Sequence, residues 1–337
     1  MNTPGGMAVV GCGAIADQYY LPAIAADAQL KAGLWLVDPS AAPRQAAIER
    51  FGLSPAQQAS SIDELPATVV AAINATPSHL HVVTTRAMFA RGLHVMLEKP
   101  AAETAADAQL LADEAASLGL LLGVNQFRRL GASPLAVKAL LDQGRLGTIR
   151  RVSWAEGHKF DWPTQSGFYF RRPWNGRPRG VLLDIGVHVL DLLTWWLGTP
   201  LQARSAAMDS FGGPEAYVDA VLASGAIDIA LKISFHADLE NRFEIEGERA
   251  SIRGSVADLS AYEIRYAGGG WRTVTCSGPA DWPSIATALM ANFKSAVAGG
   301  EALAVTGASV VAPLAAIDAL YAMASDPQPA CYKEWVA

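Results

Sequence analysis

Two short groups of residues are of types that could do chemistry: Glu98-Lys99-Pro100 and Asp184-Ile-Gly-Val-His188. A lysine ammonium stabilises negative charge that develops on a substrate oxygen, and histidine titrates near neutral pH and can move a proton. Asp184 and His188 are four residues apart, so on a helix they share a face. Asp191, one turn further on, could fix the tautomer of His188. Each group also has a plain interpretation. The first could be a solvated loop, and the second could be a capping aspartate beside a hydrogen-bonded core histidine.

A glycine motif near the N-terminus, Gly11-Cys12-Gly13-Ala14-Ile15-Ala16, is typical of a dinucleotide-binding turn. It follows a short apolar strand and opens a predicted helix. Gly11 permits the tight turn, and Gly13 lets the backbone approach a pyrophosphate. The free N–H groups at the start of the helix then face the phosphates. We therefore expect the cofactor to contact Gly11, Gly13, Ala14 and Ile15.

Asp38 ends the second predicted strand, where an acid can accept hydrogen bonds from the ribose hydroxyls of NAD. The same carboxylate would repel the 2′-phosphate of NADP, and no arginine follows it until Arg44. The sequence therefore favours NAD as the cofactor, with NADP as the alternative. An ordinary aspartate in a turn is the plain interpretation of this residue.

The elements that must position these residues alternate between strands and helices in the first third of the chain. Apolar runs at 7–10, 34–37, 68–73, 93–97 and 120–124 predict strands, and 14–26, 43–51, 79–90 and 104–118 predict helices. This alternation indicates a doubly wound parallel sheet with crossover helices, an α/β fold of the Rossmann type. We assign residues 1–125 to this dinucleotide-binding domain.

The pattern changes after residue 125. Helices are expected at 134–143 and 181–197, and mostly strands between about 201 and 275, where Ile229, Leu231 and Ile233 alternate with polar residues. Apolar spacing predicts two more helices, one containing Ile285 and one containing Leu314. We assign residues 126–337 to a second α/β domain, with a mostly antiparallel sheet, that binds substrate and forms oligomer contacts.

Composition excludes several classes of protein. The 337 residues carry a net charge of −6 with no basic run, which argues against a nucleic-acid partner. No run of about 18 apolar residues suggests a membrane span, and no signal peptide is expected at the N-terminus. Cys12, Cys276 and Cys331 lack metal-ligand spacing. We therefore expect no metal site, reduced thiols and a cytoplasmic location.

Taken in order, four segments resemble the Gfo/Idh/MocA oxidoreductase family (glucose–fructose oxidoreductase, inositol dehydrogenase and rhizopine catabolism). They are the glycine motif, Thr76-Pro77-Ser-His-Leu-His81, the segment ending in Glu98-Lys99-Pro100, and Gly-Val-Leu-Leu-Asp184-Ile-Gly-Val-His188-Val-Leu-Asp191. The resemblance implies a Rossmann domain followed by an α/β domain with an open, mostly antiparallel sheet. It also implies NAD or NADP, a sugar, polyol or sugar nucleotide as substrate, and a homodimer or homotetramer.

By the same resemblance, Lys99, Asp184 and His188 match the active-site lysine, aspartate and histidine of the family. The resemblance also implies that Thr76, Pro77, His81, Glu98 and Lys99 line the cofactor. Two departures are mild: Ser78 stands where asparagine is frequent, and Ala16 replaces a third glycine. For oxidation of a secondary alcohol, we assign His188 as general acid/base, Lys99 as the donor to the alkoxide and Asp184 as the orienting group. The two domains would bring Lys99 and His188 together at an interdomain cleft.

Aromatic and arginine residues are concentrated between Trp154 and Arg179. Aromatic faces pack on sugar rings and arginine binds phosphate or carboxylate, so this segment suggests an anionic sugar such as a sugar nucleotide. Oligomer contacts are an equal alternative for the segment. Two other functions also stay open: a non-catalytic regulator that senses dinucleotides, and a glycosidase-type enzyme that recycles bound NAD.

Overall fold

The computed structural model describes residues 5–161, 179–209 and 214–324. The chain forms two compact units: Met1–Phe127 with Trp282–Val311, and Arg128–Asp281 with Ala312–Ala337. The sequence predicts a single boundary near residue 125, which places 282–311 in the second domain. The structure groups that segment with the first unit. Apolar periodicity shows that the predicted helix around Ile285, in this segment, has a buried face. It does not reveal which sheet that helix covers.

The first unit is built on a parallel sheet. Its strands are β1 (Gly6–Val10), β2 (Leu34–Val37), β3 (Gln58–Ala59), β4 (Val69–Asn74), β5 (His94–Leu97) and β6 (Leu122–Val124). Their order across the sheet is β3-β2-β1-β4-β5-β6, and every neighbouring pair is parallel. The strand order reverses between β1 and β4, and ligands of such sheets bind beyond the carboxyl ends of the strands at that point. The predicted doubly wound sheet is confirmed.

Helices cover this sheet. They are α1 (Leu21–Ala26), α2 (Ala28–Ala32), α3 (Ala41–Phe51), α4 (His81–Ala90), α5 (Ala105–Ser117) and α9 (Trp282–Val297). The helix predicted from residue 14 begins instead with a π-helical turn, Ala16–Tyr20, before α1. In this turn both Tyr19 and Tyr20 are buried. Apolar spacing over a single turn does not distinguish a π-turn from an α-turn.

The second unit contains a mixed sheet. Its strands are β7 (Ile149–Gly157), β8 (Gln202–Asp209), β9 (Tyr217–Ser224), β10 (Ile227–Ser234), β11 (Arg242–Gly247), β12 (Ala250–Ser255), β13 (Ala261–Tyr266) and β14 (Arg272–Thr275). The order is β14-β13-β12-β11-β7-β10-β9-β8, antiparallel throughout except between β7 and β10. Ile229, Leu231 and Ile233 are fully buried on one face of β10, as their alternation predicts.

The helices of the second unit are α6 (Ala132–Asp142), α7 (Val181–Asp184), α8 (Gly186–Leu197) and α10 (Val311–Met323). The helix predicted over 181–197 is therefore interrupted at Ile185, although the backbone of that residue stays helical. Gly186 brings this element close to the sheet, because a Cβ there would lie 3.2 Å from Cδ1 of Ile233. Throughout the ranges that the structure describes, no helix is long and apolar enough to cross a membrane.

Candidate active site

The glycine loop after β1 has the geometry of a turn that admits a ligand. Gly11 has a φ of +91°, and a Cβ at this position would lie 2.6 Å from the carbonyl oxygen of Ala75, just beyond β4. Only glycine fits this approach without strain. Gly13, in contrast, has no atom within 4 Å of its Cβ position. The loop is tightly closed at Gly11 and open at Gly13.

Asp38 lies beside this loop. One carboxylate oxygen accepts a hydrogen bond from the backbone N–H of Cys12 at 3.0 Å, and the other accepts from the N–H of Ser40 at 2.8 Å. Arg44 donates to the backbone carbonyl groups of Asp38 and Ser40. Burial, and then the negative charge of Asp38, raise the pKa of the Cys12 thiol to about 12, so this thiol stays protonated. Asp38 thus holds the glycine loop and brings a negative charge to its rim.

Glu98, at the end of β5, is a buried acceptor for three donors. The Tyr20 hydroxyl lies 2.6 Å and the Asn125 amide 2.5 Å from one carboxylate oxygen, and the Lys99 N–H lies 3.0 Å from the other. Burial raises the pKa of Glu98, and these hydrogen bonds oppose that effect. The carboxyl group therefore connects the turn after the glycine loop, the end of β6 and the backbone of Lys99.

His81, which the family resemblance places at a cofactor-lining position, has both ring nitrogens against backbone carbonyl groups. Its ring is 1% exposed, with Nδ1 2.7 Å from the Pro100 carbonyl oxygen and Nε2 2.9 Å from that of Thr76. Burial lowers the pKa of His81 to about 4, so the ring is neutral at physiological pH. A neutral ring carries one N–H, so His81 donates to one of these two carbonyl oxygens and packs its other nitrogen against the second, between the loop after β4 and the segment that carries Lys99. It therefore shapes this edge of the sheet and presents no free nitrogen to a cofactor.

Thr76 and Pro77 lie in the loop between β4 and α4 and are half-buried. The Thr76 hydroxyl donates to the side-chain oxygen of Asn74 at 2.7 Å, and the Thr76 N–H contacts the same oxygen. Asn74 in turn donates to the backbone of His81. The loop is thus fixed by its own side chains.

Lys99 is half-buried directly after β5. The residues on either side of Lys99 have fixed positions. Glu98 accepts hydrogen bonds from three donors, and the carbonyl oxygen of Pro100 lies against the His81 ring. The first unit therefore brings Lys99, Glu98, Thr76, Asp38 and the glycine loop to the carboxyl ends of β1, β2, β4 and β5. This is the edge at which ligands bind in doubly wound sheets.

Asp184 and His188 belong to the second unit, at the end of α7 and in the first turns of α8. Asp184 is half-buried and His188 is 5% exposed. The His188 N–H bonds the Ile185 carbonyl oxygen at 3.0 Å, so the turn between the two side chains is tighter than an α-turn. The predicted helical spacing of this acid and imidazole is thus present, with the interruption at Ile185 between them.

Asp191 has a partner that the sequence did not suggest. Its two carboxylate oxygens accept from the Arg129 guanidinium at 2.6 and 2.7 Å, and both side chains are buried. Such a bidentate pair has a fixed geometry. Asp191 therefore anchors α8 to the segment that precedes α6, which differs from the expected role of fixing the His188 tautomer.

The aromatic and arginine-rich segment is only partly described. Trp154 is not available to a substrate, because it is 2% exposed in β7, donates to Glu156 and stacks on Phe243. The sequence analysis assigned no strand here, and composition alone does not distinguish aromatic residues of a buried strand from those of a binding segment. His158 is exposed and Phe160 half-buried. The remaining aromatic and arginine positions lie outside the described residues: Trp162, Phe168, Tyr169, Arg171, Arg172, Trp174 and Arg177.

Sequence reasoning missed Tyr20, Asn125, Arg129 and Glu215, each of which holds a proposed site residue or its element. Asn125 could have been found, since it is a polar residue directly after a buried strand. Tyr20 carries no such signal, because a tyrosine in an apolar helix is an ordinary core residue. Glu215 is 5% exposed, and burial raises its pKa to about 7. Its partners lie more than 30 residues away in the sequence.

Comparison with protein families gives matches in both units. Residues 6–126 match the oxidoreductase family with an NAD-binding Rossmann fold, and residues 135–253 match the GFO/IDH/MocA C-terminal domain. Among relatives, a dTDP-3,4-didehydro-2,6-dideoxy-alpha-D-glucose 3-reductase of Streptomyces violaceoruber is 31% identical over 67% of this chain and 65% of its own length. A 1,5-anhydro-D-fructose reductase of Ensifer adhaerens is 29% identical over 71% of this chain and 73% of its own.

Solved structures share the fold over nearly the whole chain. A 3-ketoreductase from Actinomadura kijaniata, in complex with NADP and TDP-benzene, has a TM-score of 0.80 at 22% identity and covers 96% of this chain and 98% of its own. A levoglucosan dehydrogenase, in complex with NADH and levoglucosan, has a TM-score of 0.80 at 19% identity and covers 95% and 96%. Together the two family matches span more than half of the chain. The chain belongs to the Gfo/Idh/MocA family of oxidoreductases, which carry an NAD-binding Rossmann fold.

Proposed function

We propose that this protein is an NAD(P)-dependent dehydrogenase or reductase that transfers a hydride between a secondary alcohol of a sugar, polyol or sugar nucleotide and the nicotinamide. The observation that carries the proposal is the held segment Glu98–Lys99 at the carboxyl end of β5. It is connected to the turn after the glycine loop through the 2.6 Å hydrogen bond from Tyr20. A lysine whose backbone is fixed at that edge of a dinucleotide-binding sheet is suited to supply an ammonium that stabilises an alkoxide.

The residues of the first unit fit a dinucleotide. Open space at Gly13 admits a pyrophosphate, and the Asp38 carboxylate can accept from ribose hydroxyls. In the part of the chain that the structure describes, the Tyr19 hydroxyl and the Asn125 side-chain oxygen are buried without a hydrogen-bond partner. Buried polar groups of this kind need a partner, and a polar ligand would supply one. When bound, the nicotinamide supplies the hydride acceptor or donor.

Three side chains would carry the chemistry of the chain itself. In the oxidation direction, the His188 imidazole takes the hydroxyl proton, the Lys99 ammonium stabilises the developing alkoxide, and Asp184 orients the hydroxyl or the imidazole. Reduction uses the same groups in reverse. Lys99 belongs to the first unit, and Asp184 and His188 belong to the second. Loss of activity on replacing either Lys99 or His188 alone is therefore a requirement of the proposal.

A sugar or a sugar nucleotide is the proposed substrate class. The two named relatives are a reductase of a dTDP-sugar and a reductase of an anhydrosugar. Arginine and aromatic residues between 158 and 179 suit an anionic sugar. The test is to assay the enzyme with sugars, polyols and nucleotide sugars, in their alcohol and keto forms, and to follow the absorbance of the nicotinamide. Some of these compounds should be oxidised or reduced with a matching change in that absorbance.

The outcome of that assay also separates the alternatives. Turnover with stoichiometric change of the nicotinamide supports the proposal. Hydrolysis of glycosides with bound NAD and no net change would favour the recycling glycosidase, and dinucleotide binding without turnover of any compound would favour the regulator.

We also propose that the protein is cytoplasmic and forms a homodimer or homotetramer. Cys12 and Cys276 are free thiols, which suits a reducing compartment. One face of the second unit's sheet is polar or part-exposed along β9 and β10, with Val221 40% exposed and Asp219 paired with Lys232. A sheet face that helices do not cover is suited to contact a second copy of the chain.

A further inference from the structure

The start of α7 is capped by one distant residue. Three consecutive backbone N–H groups donate to Glu215: Gly180 to one carboxylate oxygen at 2.8 Å, Leu182 to the other at 3.1 Å, and Val181 to the Glu215 carbonyl oxygen at 2.9 Å. The first N–H groups of a helix have no partner within it, and a short polar side chain at the N-cap satisfies some of them in most helices. Here the N-cap is Gly180, which has no side chain to do so.

The contact depends on the absence of a side chain at Gly180. A Cβ there would lie 2.0 Å from the Glu215 carbonyl oxygen, so any other residue would push the two segments apart. Leu183 and Asp184 then donate to the Gly180 carbonyl oxygen at 3.2 and 3.1 Å. The turn that carries Asp184 therefore begins at the residue that Glu215 holds.

A third element supports the same carboxyl group. The Tyr321 hydroxyl of α10 donates to Glu215 at 2.6 Å. Arg179 lies over the Tyr321 ring, 4.8 Å from its centroid, and contacts Asp318 at 3.3 Å. Glu215 is 5% exposed, and its carboxylate accepts from the Gly180 N–H, the Leu182 N–H and the Tyr321 hydroxyl. The segment before β9, the start of α7 and α10 thus meet at one buried carboxyl group.

We infer that Glu215 is a positioning residue: it fixes the helix start that carries Asp184 and, one turn later, His188. This inference rests on the proposed function, in which those two side chains act on the substrate. Displacement of reacting groups by about 1 Å can cost a factor of about 10² in rate. Loosening of the cap should therefore reduce turnover without changing the dinucleotide site, which belongs to the first unit.

The test compares Glu215→Gln and Glu215→Ala with a matched control. Gln keeps one acceptor oxygen and Ala keeps none, so kcat should fall by about 10-fold for Gln and by about 10²-fold for Ala. The Kd for NAD(H) should stay within about twofold of the natural protein, as expected for loss of an interaction outside the cofactor site.

The control is Glu156→Gln, which also removes a buried carboxylate of the second unit, 5% exposed and paired with Arg128. It should lower stability but leave kcat per folded molecule near that of the natural protein.

A second readout does not depend on activity. Hydrogen exchange at the amides of Gly180, Val181 and Leu182 should accelerate in Glu215→Gln and stay slow in Glu156→Gln. Equal kcat in Glu215→Gln and the natural protein, or unchanged exchange at these amides, would overturn the inference. Full activity of His188→Asn, measured in the same series, would instead overturn the proposed function, and the exchange data would still report on the cap.

Discussion

At the scale of single residues, Glu98 shows how a buried acid fixes the backbone of a neighbouring lysine. A buried carboxylate is costly unless donors satisfy it, and hydrogen bonds to a charged group contribute about 1.5–3 kcal/mol each. Glu98 receives three, from Tyr20, Asn125 and the backbone of Lys99. Because one of these donors is the Lys99 N–H, the interactions that satisfy the acid also hold the lysine backbone.

Asp38 leads to a prediction about the choice of cofactor. Its carboxylate lies at the rim of the glycine loop, so its charge should oppose a 2′-phosphate and favour NAD(H) over NADP(H) by about 10-fold or more, the scale of one charged hydrogen bond. Replacement by asparagine removes the charge, and this preference should narrow. Fluorescence titration of both proteins with both cofactors measures it. Tighter binding of NADP(H) than of NAD(H) by the natural protein would contradict the prediction. It would indicate that Arg44 binds the 2′-phosphate of NADP(H).

At the scale of elements, the glycine loop offers a matched pair of substitutions. Gly11→Ala should destabilise the protein by about 1–3 kcal/mol, because its φ is +91° and the new Cβ would collide with the Ala75 carbonyl group. Gly13→Ala should leave stability nearly unchanged, since nothing lies near the Cβ position. It should nevertheless weaken NAD(H) binding, because the methyl group occupies the space expected for the pyrophosphate.

Thermal unfolding and cofactor titration of the two variants measure these effects. If Gly13→Ala binds NAD(H) as tightly as the natural protein, the pyrophosphate does not approach this part of the loop. If Gly11→Ala is as stable as the natural protein, the close contact with Ala75 is relieved by a shift of the loop.

Much of the fold could be predicted at this scale, for a physical reason. Strands buried on both faces are continuous in apolar residues, so β1, β2, β4 and β5 are visible in the sequence. Strand β7 was missed, because Arg150, Arg151 and Glu156 interrupt its apolar pattern. The partner of α9 was missed as well, since periodicity gives the buried face of a helix and not the surface that covers it.

The site was predictable to a similar extent. The edge at which Lys99 lies follows from the rule that ligands bind at the carboxyl ends of parallel strands. The residues that hold the site do not follow from any local rule. Arg129 and Asp191 are 62 residues apart, and Glu215 lies 35 and 33 residues from Gly180 and Leu182, whose N–H groups its carboxylate accepts. Only the folded chain brings such partners together.

At the scale of the whole molecule, the exposed apolar side chain of Val221 on the sheet of the second unit favours self-association. Stable interfaces of obligate oligomers bury about 2,000 Å² or more, and a mass of two or four chains is expected by light scattering at micromolar concentration. Val221→Lys should weaken the assembly, because it brings a second cation close to Lys232 on the exposed face. A natural protein of monomeric mass would contradict this prediction.

We propose that Lys99 and His188 are both needed for the hydride transfer. This proposal is tested most directly by kcat of Lys99→Met, which keeps most of the side-chain stem and removes the ammonium. We predict a fall in kcat of about 10²-fold or more, with little change in NAD(H) affinity. His188→Asn should behave similarly, and the double variant should lose less than the product of the two effects, as for groups that act together. Lys294→Met, which removes a lysine paired with Asp27, is the matched control and should keep kcat. A Lys99→Met enzyme as active as this control would contradict the proposed role of Lys99.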